Sequence, residues 1–263
     1  MDNREIYKAS LGIIDLTSLS STDTYTKIRQ MTGKVNRFHE SFPDYPLPAS
    51  ICVYPNFAAT VASTRASADV HVTVVGGCFP ASQSPLPVKI AECTAAVADG
   101  ADEVDIVLAL NSFLEGRYDG ASREIVEIGK AIRAINANVH LKVILETGAL
   151  KERSLIEDAS FLAMEAGADF IKTSTGKMQP AATPEAAEIM CRCIKEYHAR
   201  TGRMVGFKPA GGIATPEDAV IYWNIVSDIL GEAWLNKRYF RFGASRMANN
   251  LLSALEGREV KYY

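Results

Sequence analysis

Three short segments, LKVILE at Leu141–Glu146, FIKTST at Phe170–Thr175 and VGFKPA at Val205–Ala210, have the composition of strands that end in polar or turn residues. Five similar apolar runs occur elsewhere: Ile13–Thr17 (IIDLT), Ile51–Tyr54 (ICVY), Val72–Val75 (VTVV), Glu103–Leu108 (EVDIVL) and Tyr239–Ala244 (YFRFGA). Segments with helical periodicity lie between them, among them Leu86–Asp99, Ala121–Ala134, Ser154–Ala166 and Pro184–His198. The mean repeat of about 33 residues is close to the size of one βα unit.

Eight strands that alternate with helices in 263 residues predict an α/β fold, a (β/α)8 TIM barrel. We expect one domain over residues 1–263, with a short N-terminal helical extension and a flexible C-terminal tail. The main alternative is a doubly wound open sheet, which normally carries a G-x-G-x-x-G turn after its first strand. The first strand here ends in Asp15-Leu16-Thr17-Ser18 without such a turn, which favours the barrel.

Composition limits the classes of function. A net charge of -3 argues against nucleic-acid binding through bulk positive charge. The sequence lacks an apolar run of about 18 residues, so it does not predict a membrane span. The five cysteines are odd in number and lack C-x-x-C spacing, which argues against a disulfide framework or a zinc ribbon. With no apolar signal core at the N-terminus, these features predict a protein of the reducing cytoplasm.

Three lysines interrupt the apolar strands. The alternation of barrel strands lets us expect Lys142, Lys172 and Lys208 on the face towards the barrel axis, where an unpaired ammonium is costly. A single lysine of this kind would be explained by a structural ion pair at a strand end. Three on successive strands, with Asp105 on the preceding strand and Glu146 nearby, favour a polar catalytic centre.

Converging lysines permit a particular chemistry. A lysine amine attacks a carbonyl only when it is unprotonated, and its ordinary pKa of about 10.4 makes that form rare at neutral pH. Burial and a second positive charge both disfavour the ammonium, so one lysine could be the nucleophile and the other its activator. Asp105 and Asp15 are candidates to move the protons that such a reaction requires.

Glycines at the ends of the last three strands predict an anion site. Gly176-Lys177, Gly211-Gly212 and Gly243-Ala244-Ser245 follow strands six, seven and eight. Glycine lets backbone N–H groups approach a phosphate, and loops after the last strands of a TIM barrel frequently bind one.

The chain resembles the class I deoxyribose-phosphate aldolase family. The matching stretches run in order along nearly the whole chain: Ile14–Thr17, Cys52–Pro55, Ala101–Val107, Leu141–Gly148, Ala168–Lys177 (ADFIKTSTGK), Val205–Ile213 (VGFKPAGGI) and Arg241–Ser245. The resemblance implies reversible cleavage of 2-deoxy-D-ribose 5-phosphate to D-glyceraldehyde 3-phosphate and acetaldehyde. It also implies a covalent lysine imine, with no metal and no other cofactor.

The resemblance implies a role for each matching residue. Lys172 would be the Schiff-base nucleophile, Lys208 would lower its pKa, and Asp105 would relay protons. Asp15 and Thr17 would hold substrate hydroxyls or ordered water, and Lys142 would belong to the surrounding polar network. The residues expected to bind the substrate and its phosphate are Thr175, Gly176, Lys177, Gly211, Gly212, Gly243 and Ser245.

Two further matches have competing explanations. Cys52 corresponds to a cysteine near the pocket, although a small buried filler would also explain it. Family members often end in a mobile tail whose terminal tyrosine assists proton transfer. Tyr263 is that candidate here, against the alternative of a frayed terminus.

Two departures concern the phosphate. After the Gly-Gly pair the family usually has an apolar residue and then Arg, whereas this chain has Ile213 and Ala214. After Gly-Ala-Ser, where a second small residue is common, it has Arg246. We expect Arg246 to restore the charge that Ala214 lacks, although short or non-phosphorylated aldehydes could then be accepted better than is usual.

The sequence is also compatible with alternative functions. One is a class I aldolase for another sugar phosphate or a non-phosphorylated aldehyde, and another is a non-catalytic barrel that binds a phosphosugar. The expected partner is a small phosphorylated aldehyde, with no nucleic acid and no membrane. Dimers are common among relatives, so a homodimer is considered, but the sequence locates no interface. The four histidines lack metal-ligand spacing, so no metal is expected.

Overall fold

The computed structural model describes all residues, 1–263, and its centre is a barrel of eight parallel strands. The strands are β1 (Ile14–Thr17), β2 (Ser50–Val53), β3 (His71–Gly76), β4 (Glu103–Val107), β5 (His140–Ile144), β6 (Phe170–Lys172), β7 (Gly206–Lys208) and β8 (Phe242–Ala244). Each strand pairs with its neighbour in chain order, and β8 pairs with β1. Two bridges between the β7 and β8 regions, Phe207 with Phe240 and Ala210 with Gly243, complete the ring. The predicted TIM barrel is confirmed.

Helices alternate with the strands around the outside. They are α1 (Asn3–Leu11), α2 (Tyr25–Asn36), α3 (Phe38–Ser41), α4 (Ala58–Thr64), α5 (Leu86–Ala98), α6 (Leu110–Leu114), α7 (Tyr118–Ile135), α8 (Arg153–Glu165), α9 (Pro184–Thr201), α10 (Pro216–Leu230) and α11 (Arg246–Glu256). Thr183 caps α9, and Thr215 with Asp218 forms a capping box at α10. None of the helices combines the length and apolar character needed to cross a membrane.

The two faces of each strand have different environments. In β4, Val104 and Ile106 belong to an apolar cluster of 68 buried residues that fills the space between strands and helices. Glu103 and Asp105 alternate with them and face the barrel axis instead. The barrel interior therefore holds charged side chains inside an apolar shell.

Strands β6 and β7 end earlier than the sequence predicts. They stop at Lys172 and Lys208, so the residues that follow form loops at the carboxyl end of the barrel. Pro209 follows Lys208 directly and has no N–H to donate to a strand partner. The shorter strands leave the glycine-bearing loops free to surround the mouth of the barrel.

The C-terminal tail is docked in the structure, whereas the sequence predicts a flexible one. The Asn249 side chain accepts hydrogen bonds from the N–H groups of Tyr262 and Tyr263 at 3.0 and 2.9 Å. The Tyr263 ring stacks on Phe38 with ring centroids 5.6 Å apart. The Asn249 bonds tie the tail to α11, and the Phe38 stack holds it against the N-terminal part of the chain.

Candidate active site

The predicted lysines and aspartates meet inside the barrel. Strand register places Lys172 directly opposite Lys208 and Lys142 directly opposite Asp105. Residues at matched positions of parallel neighbours face the same side of a sheet, so all four side chains enter the axis. Each of them is buried.

Asp105 is the centre of this cluster. Its Oδ2 accepts from the Lys172 Nζ at 2.8 Å and from the Lys208 Nζ at 2.7 Å. Its Oδ1 lies 3.1 Å from the Lys142 Nζ. Since one carboxylate oxygen binds both Lys172 and Lys208, the two amine nitrogens are close neighbours, which is the arrangement expected from the sequence.

A second layer of ion pairs lies deeper in the barrel, and sequence reasoning missed two of its members, Glu103 and Arg241. Arg241 donates to the Asp15 Oδ1 at 2.5 Å and to the Glu103 Oε1 at 2.8 Å. Lys208 binds the Asp15 Oδ2 at 2.5 Å, and Lys142 pairs with Glu103. The rule that singled out the lysines, a charge inside an apolar strand, would also have found Glu103 in EVDIVL and Arg241 in YFRFGA.

The cluster has more positive than negative members. It contains four basic side chains, Lys142, Lys172, Lys208 and Arg241, and three carboxylates, Asp15, Glu103 and Asp105. The charges balance when one basic group is neutral. Lys172 is the most accessible of the four at 3% relative exposure, and it is the only one in the wall of the cavity at the carboxyl end of the barrel.

Among the buried lysines of the cluster, only Lys172 has a lowered pKa. Burial lowers the pKa of Lys172 and is the largest influence; Asp105 opposes this change and Lys208 reinforces it. For Lys208 burial acts in the same direction, but Asp105 and Asp15 outweigh it and raise the pKa. The pKa of Lys142 is also raised, because three carboxylates overcome the effect of burial. Lys172 is therefore the lysine best able to exist as a free amine beside permanent ammonium groups.

The cavity above Lys172 has a volume of about 250 Å³ and collects the loops that follow β1, β6, β7 and β8. Predicted site residues in its wall are Thr17, Lys172, Thr175, Gly176, Lys177, Gly211, Gly212, Gly243, Ser245 and Arg246. The close approach of two loops requires glycine, since a Cβ at Gly211 would stand 2.9 Å from the Gly176 Cα. Most of the predicted substrate-binding residues thus share one cavity.

The cavity wall suits an anion. The backbone N–H groups of Gly176, Gly211 and Gly212 donate to no acceptor within the protein. The Ser245 side chain at the start of α11 does not cap that helix, in contrast to the threonines at α9 and α10. Arg246 has no carboxylate partner. Free donors, a helix N-terminus and an unpaired guanidinium are the features that bind phosphate.

Other predicted residues lie outside this wall. Asp15, Asp105, Lys142, Lys208 and Cys52 are fully buried and do not line the cavity. Asp15 is engaged by Arg241 and Lys208, so it reaches the cavity only through its partners. Burial raises the pKa of the Cys52 thiol, which favours its protonated form.

Tyr263 lines a neighbouring cavity of about 310 Å³. The two cavities share Thr17, Ser245 and Arg246. The Tyr263 hydroxyl is buried without a hydrogen-bond partner, and burial raises its pKa. The terminal tyrosine thus lies beside the candidate site, and its raised pKa keeps the hydroxyl protonated at neutral pH.

Two histidines approach Glu103 at the opposite end of the barrel. The Nδ1 atoms of His71 and His140 lie 2.7 and 3.6 Å from the Glu103 Oε1. The three groups are close enough to ligate a metal ion. However, the same carboxylate oxygen accepts from Arg241, and Lys142 holds the other. A metal cation would face both charges, so this donor set suits hydrogen bonding better.

Comparisons with known proteins agree with this geometry. Residues 9–222 match the model of the DeoC/LacD family aldolases. A Caenorhabditis elegans protein with the provisional name deoxyribose-phosphate aldolase is 40% identical over 255 residues, which cover 96% of this chain and 82% of that protein.

Solved structures share the fold. A provisionally named deoxyribose-phosphate aldolase from Toxoplasma gondii ME49 aligns with a TM-score of 0.82 at 21% identity, covering 97% of this chain and 95% of that one. The deoxyribose phosphate aldolase of Aeropyrum pernix, described as tetrameric, aligns with a TM-score of 0.72 at 23% identity, covering 96% and 92% of the two chains.

Proposed function

This chain belongs to the DeoC/LacD aldolase family, and on that premise we propose that it reversibly cleaves 2-deoxy-D-ribose 5-phosphate to D-glyceraldehyde 3-phosphate and acetaldehyde. The observation that carries the proposal is the position of Lys172. It is the only lysine of the buried cluster that lines the cavity, and the only one whose pKa is lowered. The catalytic unit in this proposal is a single domain, residues 1–263.

The reaction starts at the amine of Lys172. Its nitrogen attacks the C1 aldehyde of the open-chain sugar, and loss of water from the carbinolamine leaves a protonated imine. Removal of the C3 hydroxyl proton then breaks the C2–C3 bond. The electron pair moves towards the iminium nitrogen, releasing glyceraldehyde 3-phosphate and leaving an enamine on Lys172. Protonation at C2 and hydrolysis of the imine release acetaldehyde and restore the amine.

Buried partners support these proton transfers. Asp105 bonds Lys172 and Lys208 through the same oxygen, so a proton can pass between the two nitrogens along one carboxylate. Asp15 holds Lys208 from the other side and acts as a positioning group. Thr17 lies in the cavity wall and can hold a substrate hydroxyl. Tyr263 is the candidate donor for C2, from the cavity next to it.

Trapping the imine tests the proposal directly. Reduction with borohydride in the presence of acetaldehyde should attach an ethyl group to Lys172, because the imine of this lysine accumulates and is then fixed. Peptide mapping by mass spectrometry locates the adduct. Lys130 is 70% exposed and provides an internal control that should be modified far less than Lys172 at a low acetaldehyde concentration. An adduct on another lysine of the cluster would reassign the nucleophile.

Product analysis separates the alternative substrates. We expect glyceraldehyde 3-phosphate and acetaldehyde from 2-deoxyribose 5-phosphate, and slower turnover of unphosphorylated 2-deoxyribose. Faster cleavage of another sugar phosphate would assign a different class I aldolase. Binding without any turnover would assign a phosphosugar-binding barrel.

Arg246 provides the phosphate charge in this proposal. Replacement of Arg246 by Ala should raise the KM for 2-deoxyribose 5-phosphate about tenfold, since one charge-assisted hydrogen bond is lost. The KM for unphosphorylated 2-deoxyribose should not change. Steady-state kinetics with both substrates measure the difference.

A compensating variant sharpens this test. Ala214→Arg, introduced into the Arg246→Ala protein, places a guanidinium where the family usually carries one and should recover part of the lost affinity. An unchanged KM in Arg246→Ala would show that backbone amides suffice for the phosphate.

The remaining properties follow from this mechanism. The imine supplies the electron sink, so the proposal requires no metal and no other cofactor. We place the protein in the cytoplasm, because its five cysteines are free and four of them are buried. The proposed ligand is a small phosphorylated aldehyde rather than a nucleic acid or a membrane, and a homodimer is one assembly considered.

A further inference from the structure

Glu146 has an unusual backbone for its position. It follows β5 with a φ of +54°, in the left-handed region that a non-glycine residue rarely adopts. The residues on both sides are fixed to the neighbouring strand, as Leu145 and Thr147 donate to the carbonyls of Lys172 and Thr173 at 2.8 and 2.9 Å. Backbone strain of this kind persists where surrounding contacts require it, and it concentrates at functional sites.

Both oxygens of the buried Glu146 carboxylate accept hydrogen bonds from one residue. Its Oε1 accepts the Thr175 N–H at 3.2 Å, and its Oε2 accepts the Thr175 hydroxyl at 2.5 Å. Glu146 is only 3% exposed. Because the Thr175 hydroxyl gives its proton to Glu146, its oxygen is free to accept, and it does so from the Lys177 N–H at 3.0 Å.

These consecutive hydrogen bonds fix the loop that forms one wall of the cavity. The N–H groups of Thr175 and Lys177 are satisfied within the protein, while that of Gly176 between them is not. The Lys177 ammonium is held at the mouth by the Leu19 carbonyl at 2.7 Å. The arrangement leaves one free amide donor and one cation at fixed places in the cavity wall.

We propose that Glu146 is a positioning residue that sets substrate affinity by clamping the Thr175–Lys177 loop in its anion-binding conformation. It acts through Thr175 and does not touch the reacting atoms. The inference rests on the proposed phosphosugar substrate and adds to it a residue that positions the loop contributing to phosphate affinity. A carboxylate beside a phosphate site would normally repel the ligand, but both oxygens of Glu146 are turned to Thr175.

The test compares phosphorylated and unphosphorylated substrates. Glu146→Gln should raise the KM for 2-deoxyribose 5-phosphate about tenfold, because an amide cannot accept both Thr175 donors. The kcat should change by less than about threefold, and kcat/KM for unphosphorylated 2-deoxyribose should be unaltered. A general structural defect would reduce turnover of both substrates. Glu165→Gln, on the exposed end of α8, is the matched control and should behave as wild type.

Thr175→Val removes the same bond from the other side, so the test does not depend on one variant folding. It should reproduce the tenfold rise in KM, and the double variant should be no worse than either single one. Glu146→Gly should lose affinity as Glu146→Gln does, although glycine relieves the left-handed backbone. A normal KM in the single variants, or additive losses in the double variant, would overturn the inference. Failure of the wild type to cleave 2-deoxyribose 5-phosphate would instead refute the proposed function.

Discussion

Replacement of Lys172 by Met is expected to lower kcat/KM on the order of 10⁴-fold or more, because no imine can form. The same variant should unfold at an equal or slightly higher temperature than the wild type. Removing one ammonium leaves three basic groups against three carboxylates. Asp105 keeps two partners, Lys208 and Lys142, at 2.7 and 3.1 Å.

The lowered pKa of Lys172 explains why its removal should not destabilise the protein. A lysine whose pKa is lower in the folded than in the unfolded protein opposes folding while it is protonated, and this effect fades as the pH rises towards its ordinary value. Lys172→Met removes the group that opposes folding. The melting temperature of the variant should therefore exceed that of the wild type most at neutral pH, and the two melting temperatures should become equal at alkaline pH. Thermal unfolding at several pH values measures this difference.

Lys142→Met is the matched control. It changes the net charge of the cluster by the same amount, but it removes the one cation that touches all three carboxylates. We expect it to destabilise the protein by about 3–5 kcal/mol, because buried carboxylates lose a partner. If both variants lost equal stability, the position of Lys172 at the cavity would not explain its lowered pKa.

Much of the barrel could be predicted because its determinants are local. Apolar runs such as ICVY at 51–54 and EVDIVL at 103–108 are short and rich in β-branched residues, which favours buried strands over helices. The alternation of side chains along such strands then predicted that the lysines face the axis. The glycine pairs also predicted the cavity wall, since a close loop approach at Gly176 and Gly211 admits no side chain.

Other features depend on contacts between distant residues and were not predictable. Arg241 pairs with Asp15 across more than 200 positions of sequence, so its partner cannot be found by spacing. The docking of Tyr263 on Phe38 is equally remote. The left-handed backbone of Glu146 has no marker in the sequence, where glycine would normally indicate such a turn. Sequence periodicity thus places charges on the axis but does not specify which ions pair.

The deep ion pairs also make a strong prediction about stability. Arg241→Met should lower the free energy of unfolding by about 3–5 kcal/mol, because Asp15 and Glu103 remain buried with fewer partners. The corresponding fall in melting temperature is roughly 10 °C for a chain of this size. Arg133→Met is the control, since Arg133 pairs with Asp169 at 2.7 Å at a partly exposed position and should cost less than about 1 kcal/mol.

Acid dependence identifies electrostatics as the cause. Burial would raise the pKa values of Asp15 and Glu103, but Lys142 and Arg241 outweigh it and hold both below their ordinary values near 4. Such carboxylates stabilise the fold fully above those ordinary values, and the contribution is lost as the pH falls towards the lowered pKa values. Arg241→Met weakens this lowering of the two pKa values. The difference in free energy of unfolding between variant and wild type should therefore be largest at neutral pH and smaller below about pH 4. Urea unfolding at neutral pH and below about pH 4 measures this difference in free energy. A difference that did not vary with pH would indicate lost packing of the Arg241 side chain instead.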